Sequence, residues 1–258
     1  MKEWITGRNP VYEVMQARRR HLFRLQVAKG AEEKGRLAQI IHLAQEHRLA
    51  VEYVARPRLD SLGENHQGVA LEASAYSYCA LADILGQAGK LQEPLFVLLL
   101  DALQDPQNLG TLLRTAEAVG VHGVVMPLRR AVGVTPAVVH ASAGATEHML
   151  IAQSNLAQAI ATLKEAGAWV VGLEGSPAAQ PVELARLDGP LALVVGSEGE
   201  GMRELVRRSC DLLVRLPMRG KVESLNASVA GSVVLYLALE ARNRQNSLQS
   251  EEWRRKNS

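Results

Sequence analysis

Aromatic residues are scarce, with two Phe, three Trp and five Tyr making up 4% of the 258-residue chain. A nucleic-acid surface resting on many stacking rings is therefore excluded. Only two cysteines occur, Cys79 and Cys210, far apart and without CxxC spacing. That excludes a disulfide framework and a cysteine zinc site, and fits a reducing compartment. No apolar run approaches the ~18 residues that span a bilayer, and MKEWITGRNP has none of the pattern of a signal peptide. The expected protein is soluble and cytoplasmic. The seven histidines show no metal-ligand spacing and no Ser/His/Asp elbow, so no metal is expected. A net charge of +2 is too small to argue for a polyanionic partner by itself.

What is present says more. Apolar residues make up 47% of the chain, enough for a sizeable core, and the length suits two domains. Charge is unevenly spread. Residues 1–29 hold seven Lys or Arg against Glu3 and Glu13, a local excess of +5. Arg8, Arg18, Arg19 and Arg20 in that stretch are candidate phosphate contacts. On charge alone, a solvated helix face is the commoner outcome.

Periodicity predicts helices over 10–19 and 34–47, the second with Leu37, Ile40, Ile41 and Ala44 on one face. Strands are predicted over 49–55 and 66–73. Residues 1–76 thus read as a small α+β module, and 77–93 as a linker with a helix in CALADILGQAGK. From 94 to 246 strand and helix alternate. LFVLLL (95–100) is a continuous apolar run, typical of a strand buried on both faces. A helix over 109–119, a strand over 121–126, a helix over 155–167, and strands over 168–173 and 191–196 follow. After these come a short helix near 202–208, a strand over 211–217 and a long helix from Asn226 to about Arg244. That alternation predicts a mostly parallel sheet, and ligands then sit beyond the carboxyl ends of strands. The polar residues 247–258 are expected to be a flexible tail.

Three of those strand-end loops carry chemistry. In DALQDPQNLGTLLRTAEAVG, Asn108 is a good helix N-cap. Leu109, Leu112, Leu113 and Ala116 share a face, with Arg114 roughly opposite. In GSEGEGM (196–202) the glycines fall as GxxGxG, which is not the dinucleotide fingerprint, and a P-loop lysine is missing. Glu198 and Glu200 would repel a triphosphate, so a neutral or cationic ligand is more natural. In LPMRGKVESLNASVA, Met218 and Leu225 are placed to line an apolar slot, and Ser224 and Asn226 are both plausible caps.

Together, DPQNLGTLLRTAEAVG, LVVGSEGEGM and LPMRGKVESLNASVA resemble the three ordered motifs of the SpoU (TrmH-type) branch of the SPOUT RNA methyltransferases. VHGVVMPLRRAVGVTPAVVHASAGATEHM and LKEAGAWVVGL are similar to the subgroup that methylates a guanosine ribose in large-subunit ribosomal RNA. GRNPVYEVM and HQGVALEA resemble that subgroup's small substrate-binding domain, which is akin to ribosomal RNA-binding proteins. The resemblance implies an α/β-knot domain with a deep trefoil knot, preceded by an α+β RNA-binding domain. It also implies S-adenosylmethionine as donor, a ribose 2′-hydroxyl as acceptor, and a homodimer. By motif position it implies catalytic roles for Arg114, Asn108, Glu198, Ser224 and Asn226. Cofactor contacts are implied at Gly172, Leu173, Gly196, Leu216, Met218 and Leu225. Ala227 stands where the family often has Val.

The implied chemistry needs oxygen, methyl and sulfur in line, which is an orientation effect, and loss of a proton from the ribose hydroxyl. The family assigns a base role to the residue matching Arg114. An arginine normally stays charged, so the alternative is a guanidinium that holds a phosphate and the developing alkoxide. Two competing readings are a tRNA 2′-O-methyltransferase and a non-catalytic RNA-binding assembly factor.

Overall fold

A computed structural model describes residues 1–222 and 224–256. The chain forms two compact units. The first comprises Met1–Ser77, Asp105–Arg114 and Val132–Met149, and the second Tyr78–Gln104, Thr115–Ala131 and Leu150–Ser258.

The first unit is built on strands β1 (Lys2–Thr6), β2 (Leu22–Ala28), β3 (Val51–Val54) and β4 (Val69–Ser74), with helices α1 (Arg8–Ala17), α2 (Arg36–Glu46) and α3 (Arg56–Asp60) between them. The sheet order is β1-β4-β2-β3. Strand β4 runs antiparallel to both neighbours, while β2 and β3 are parallel. The apolar stripes of the two longer helices, Val11, Val14 and Met15 in α1 and Leu37, Ile40 and Leu43 in α2, are buried, as their 3.6-residue spacing requires. Residues 132–149 belong here for a steric reason. A Cβ on Gly144 (φ 90°) would lie 2.6 Å from Glu13 Cβ, and one on Gly7 (φ 94°) 3.2 Å from the His140 ring. Only glycine allows that approach.

The second unit carries β5 (Phe96–Leu100), β6 (Gly123–Met126), β7 (Ile151–Gln153), β8 (Trp169–Leu173), β9 (Gln180–Pro181), β10 (Leu191–Val195) and β11 (Leu212–Arg215). They form one sheet in the order β7-β6-β5-β10-β8-β11-β9. Each adjacent pair is parallel. Central strands β5 and β10 are buried along their whole length, which explains their unbroken apolar runs. Helices α4 (Leu81–Leu91), α7 (Leu156–Glu165), α8 (Glu204–Ser209) and α9 (Ala227–Lys256) complete this unit. Helix α6 (Pro136–Ala141) belongs to the first unit, and α5 (Pro106–Ala118) contributes residues to both.

Three expectations are corrected. Strands β1 and β2 were not anticipated, because KEWIT and LFRLQVA mix charge into short apolar stretches. Helix α5 starts at Pro106 rather than near Leu109. Asp105 caps it, its Oδ1 accepting the Gln107 N–H at 3.1 Å and its carbonyl the Leu109 N–H at 3.0 Å, and proline is well tolerated at the first helical position. Helix α9 continues to Lys256 rather than ending near Arg244, and residues 257 and 258 of the expected tail lie outside the described residues. Among the described residues, no helix is long and apolar enough to cross a membrane.

Candidate active site at the strand ends

In the all-parallel sheet, β5, β10, β8 and β11 are consecutive neighbours, so the loops that follow them leave the same edge. The loop after β10 is a cross-braced hairpin. The Ser197 N–H donates to the Gly201 carbonyl and the Gly201 N–H to the Ser197 carbonyl, both at 3.0 Å. Gly196 is buried, and a Cβ there would lie 2.3 Å from the Gly201 carbonyl carbon, so no other residue fits. Glu198 at the hairpin tip is exposed.

This hairpin is anchored to the end of β5. Asp101 is fully buried, and its carboxylate accepts the Arg203 backbone N–H and Nε–H, each at 2.7 Å, with Arg203 Nη2 also 2.7 Å away. The Asp101 N–H in turn donates to the Val195 carbonyl at 2.8 Å. Sequence reading missed this pair because its members are 102 positions apart; the signal was a lone Asp directly after a continuous apolar strand.

The loop after β11 is the least engaged backbone near the sheet edge. No backbone–backbone hydrogen bond among the described residues involves 216–222. Met218, Val222 and Leu225 are exposed although apolar, and Leu216 is half-buried. The backbone donors and acceptors and the apolar surface left open here suit a ligand with both polar edges and apolar bulk. Ser224 is exposed. Asn226 does two jobs. Its Oδ1 accepts the Ser228 and Val229 N–H groups at 2.9 and 3.3 Å, capping α9, and the Ser228 hydroxyl at 2.6 Å. Its Nδ2 donates to Glu198 Oε1. The cap therefore ties the second loop to the third. Ser228, 3% exposed, is a polar participant the sequence reading passed over.

After β8, Leu173 is half-buried and Gly172 buried. A Cβ on Gly172 would come within 2.9 Å of Met202 Cε, Cys210 Sγ and Leu213 Cδ2, so tight packing accounts for the glycine without a ligand. Next to it, Glu174 accepts Arg207 Nε–H at 2.6 Å and Nη2–H at 3.2 Å. That carboxylate is the principal cause holding the Arg207 guanidinium above its usual value. Burial pushes the Cys210 thiol up to about 12, which leaves it inert as a nucleophile.

Asn108 lies in the first turn of α5, half-buried, and Arg114 on its exposed face. Both belong to the part of α5 that groups with the first unit, while Thr115 belongs to the second. There the Thr115 hydroxyl meets the Ser232 hydroxyl of α9 at 2.9 Å. At the middle of α9, Arg242 donates to the carbonyls of Pro94, Leu95 and Gly189 at 2.7–2.9 Å and lies over the Phe96 ring. Burial lowers its pKa from the usual arginine value.

The four basic candidates near the N-terminus have different fates. Arg20 is not a surface cation. Its side chain is 1% exposed, with Nε–H and Nη2–H on the buried Glu147 carboxylate at 2.9 and 2.7 Å and Nη1–H on Glu3 at 3.1 Å. A charge buried in this way needs its partners and has nothing left for a phosphate. Arg19 donates to the Met149 carbonyl. Arg18 is exposed, 3.9 Å from Glu46. Arg8 is half-buried and tied to Gln67.

Comparison with known proteins agrees with this arrangement. The SpoU rRNA methylase family model matches residues 95–236, and the model for RNA 2′-O ribose methyltransferase substrate binding matches residues 4–79. A TrmH family tRNA/rRNA methyltransferase of Bacillus subtilis is 44% identical, the alignment covering 93% of this chain and 96% of the relative. Among solved structures, an RNA 2′-O ribose methyltransferase superposes with a TM-score of 0.74 at 26% identity, covering 93% of this chain and 89% of the other. The AdoMet complex of the SpoU methyltransferase AviRb from Streptomyces viridochromogenes shares the fold, with a TM-score of 0.78 at 22% identity and coverage of 93% and 90%. With the glycine hairpin and the loop after β11 leaving nearby strand ends of a parallel sheet, the chain belongs to the SpoU rRNA methylase family, whose members are RNA methyltransferases.

Proposed function

We propose that the protein uses S-adenosylmethionine to methylate the ribose 2′-hydroxyl of a guanosine in large-subunit (23S-type) ribosomal RNA, acting as a homodimer. The observation that carries the reading is the link between motif loops: Asn226 caps α9 and holds Glu198 of the glycine hairpin. The residues present fit the donor. Its cationic sulfonium, which supplies the methyl group, suits a loop bearing Glu198 and Glu200 better than an anionic cofactor would. The unengaged backbone of 216–222, with Leu216, Met218 and Leu225, would hold its adenosyl and methionyl parts. Gly196 and Leu173 would border it from the neighbouring strand ends.

In this reading residues 1–76 bind substrate, 77–93 link, and 94–246 form the methyltransferase domain, knotted at its C-terminal segment. Asn108, Ser224 and Asn226 orient the groups around the transferring methyl. Arg114 has an electrostatic role, holding a phosphate and the negative charge that develops on the ribose oxygen. Its exposed guanidinium makes no ion pair among the described residues. The homodimer is supported by α9, where Val229, Val233, Tyr236 and Leu237 are exposed at helical spacing along one face.

The test is incubation with labelled donor and, in parallel, unmodified large-subunit ribosomal RNA and unmodified tRNA, followed by mapping of the modified ribose. Label on a ribosomal guanosine is the expected result. Label confined to tRNA would replace the substrate, and label in neither would sink the enzymatic reading in favour of an RNA-binding assembly factor.

A further inference from the structure

The four-stranded sheet of the first unit gathers cations at one of its ends. Strands β2 and β3 are parallel, with Ala28 opposite Val54. Lys29 therefore leaves β2 where Arg56 opens α3, and the Lys29 N–H donates to the Val54 carbonyl at 2.8 Å. Strand β4 runs the opposite way and begins at this same end, where the Ala28 N–H donates to the Gly68 carbonyl at 2.9 Å. Strand β1, antiparallel to β4, finishes here and delivers Arg8. Arg8 is held in place by Gln67, whose side-chain carbonyl accepts the Arg8 N–H at 2.9 Å and whose backbone carbonyl accepts Nε–H at 3.1 Å.

The result is a cleft of about 550 Å3 whose lining includes Arg8, Lys29, Gly30, Arg56, Gln67 and Gly68, with no carboxylate on its walls. The Lys29 and Arg56 side chains make no hydrogen bond or ion pair among the described residues. Several other basic groups of this unit are engaged. Arg20 is buried against Glu147, and Arg24 pairs with Glu72 and Glu52. The nearby acids are also occupied: Glu33 accepts the Tyr53 hydroxyl at 2.7 Å, and Glu32 pairs with Lys34. Gln67 adopts φ 53° and Gly68 φ 82°. A non-glycine residue held in the left-handed region is strained, and here it sets the Arg8 guanidinium at the cleft.

We infer that this cleft binds one unpaired nucleotide of the RNA substrate, with Lys29, Arg56 and Arg8 on its phosphates. The inference rests on the reading of the chain as an RNA methyltransferase and names where the first unit grips that RNA. The volume lies within the ~300–1,000 Å3 of small-ligand sites, well beyond what a bare phosphate fills. Glycines at 30 and 68 let sugar and base approach backbone closely. Unstacked nucleotides are the elements of RNA that offer a separate base and phosphate to such a cleft.

The test compares wild type, K29Q/R56Q and a control, K2Q/R48Q, which removes two exposed charges at the opposite end of the same sheet. Affinity for an unmodified large-subunit ribosomal RNA transcript, and for tRNA in parallel, is measured against salt concentration, together with donor affinity and Tm. K29Q/R56Q should weaken RNA binding on the order of tenfold and reduce the salt slope by ~1.4, as expected for two lost single-strand phosphate contacts. Its Tm and donor affinity should match wild type, and the control should bind RNA within about twofold. Unchanged RNA binding by K29Q/R56Q, or an equal loss in the control, overturns the proposal. Because binding is read without methyl transfer, failure of the guanosine assignment leaves this result standing, and failure here leaves that assignment untouched.

Discussion

The two compact units bury polarity in different ways. In the first, Arg20, Gln26, His66, Glu72, Thr146 and Glu147 are all buried, and the mixed four-stranded sheet is stitched by ion pairs. In the second, the buried polar residues among those described are Asp101, His122 and Ser228, and seven parallel strands enclose an aliphatic core. An all-parallel sheet covered on both faces leaves little place for charge except beyond the strand ends, and Asp101 and Ser228 lie there. A polar core, by contrast, turns arginines into scaffold. Clustering in sequence thus does not tell the buried Arg20 from the exposed Arg18 and Lys29 of the first unit, while strand ends are a good guide to chemistry in the second.

The largest effect expected from challenging this contrast falls on α5, which belongs to both units. Arg114→Ala should abolish methyl transfer and weaken RNA binding by no more than one lost phosphate contact, while leaving donor binding and Tm near wild type. Arg114→Lys should retain some transfer with a flat pH profile. Activity that climbs with pH in the lysine variant would restore the base mechanism.

Next come the buried charges, one from each unit. Glu147→Gln leaves the buried Arg20 guanidinium with Glu3 as its one carboxylate among the described residues and should cost on the order of 3 kcal/mol in urea unfolding with little change in donor affinity. Asp101→Asn should cost less, about 1.5–3 kcal/mol for weakened charge-assisted hydrogen bonds, yet impair donor affinity and transfer, because it loosens the hairpin at Gly196–Gly201. If both variants lose only stability, Asp101 is scaffold like Arg20 and the contrast between the units fails.

A smaller effect separates the two jobs of Asn226. Asn226→Ser keeps a capping oxygen and should unfold within ~0.5 kcal/mol of wild type, whereas Asn226→Ala should lose about 1 kcal/mol. Both should lose transfer to a similar degree, since both break the link to Glu198. Full transfer by the serine variant would reduce Asn226 to a cap.

The smallest effect concerns Cys210. With its thiol pushed from 9.0 to about 12 by burial, alkylation at pH 8 should run on the order of a thousandfold slower than for a free thiol. The folded chain keeps this proton where the unfolded chain loses it. The stabilising contribution is therefore full below pH 9 and fades as pH rises from about 9 toward 12. Urea midpoints measured from pH 8 to 10.5 should fall for wild type and be flatter for Cys210→Ala.

Legibility from sequence followed the same division. Strands such as β5 and β10 were plain because burial on both faces demands unbroken apolar runs. Helix α2 was plain because Leu37, Ile40 and Ala44 keep a 3.6-residue period. Strand β2 was hidden because Arg24 and Gln26 interrupt its pattern, their partners Glu52 and Glu72 being supplied by other strands. The short β7 and β9 carry too few residues to show any period. Among the motif residues, Glu198 and Asn226 were legible as types, but their contact was not, since it joins positions 28 apart. Asp101–Arg203 and the Arg242 clasp gave no local signal at all.

By itself the amino-acid sequence determined where the longer strands and helices of the alternating region lie, which three loops hold polar and glycine-rich motifs, and that the chain resembles an RNA methyltransferase. Those features are local, set by side-chain period, turn residues and spacing. Tertiary structure alone decided which charges are hidden, that 105–114 and 132–149 group with the N-terminal sheet, and that Lys29, Arg56 and Arg8 share a cleft. The physical reason is that ion pairing and burial depend on which distant segments pack together, and no window along the chain contains both partners.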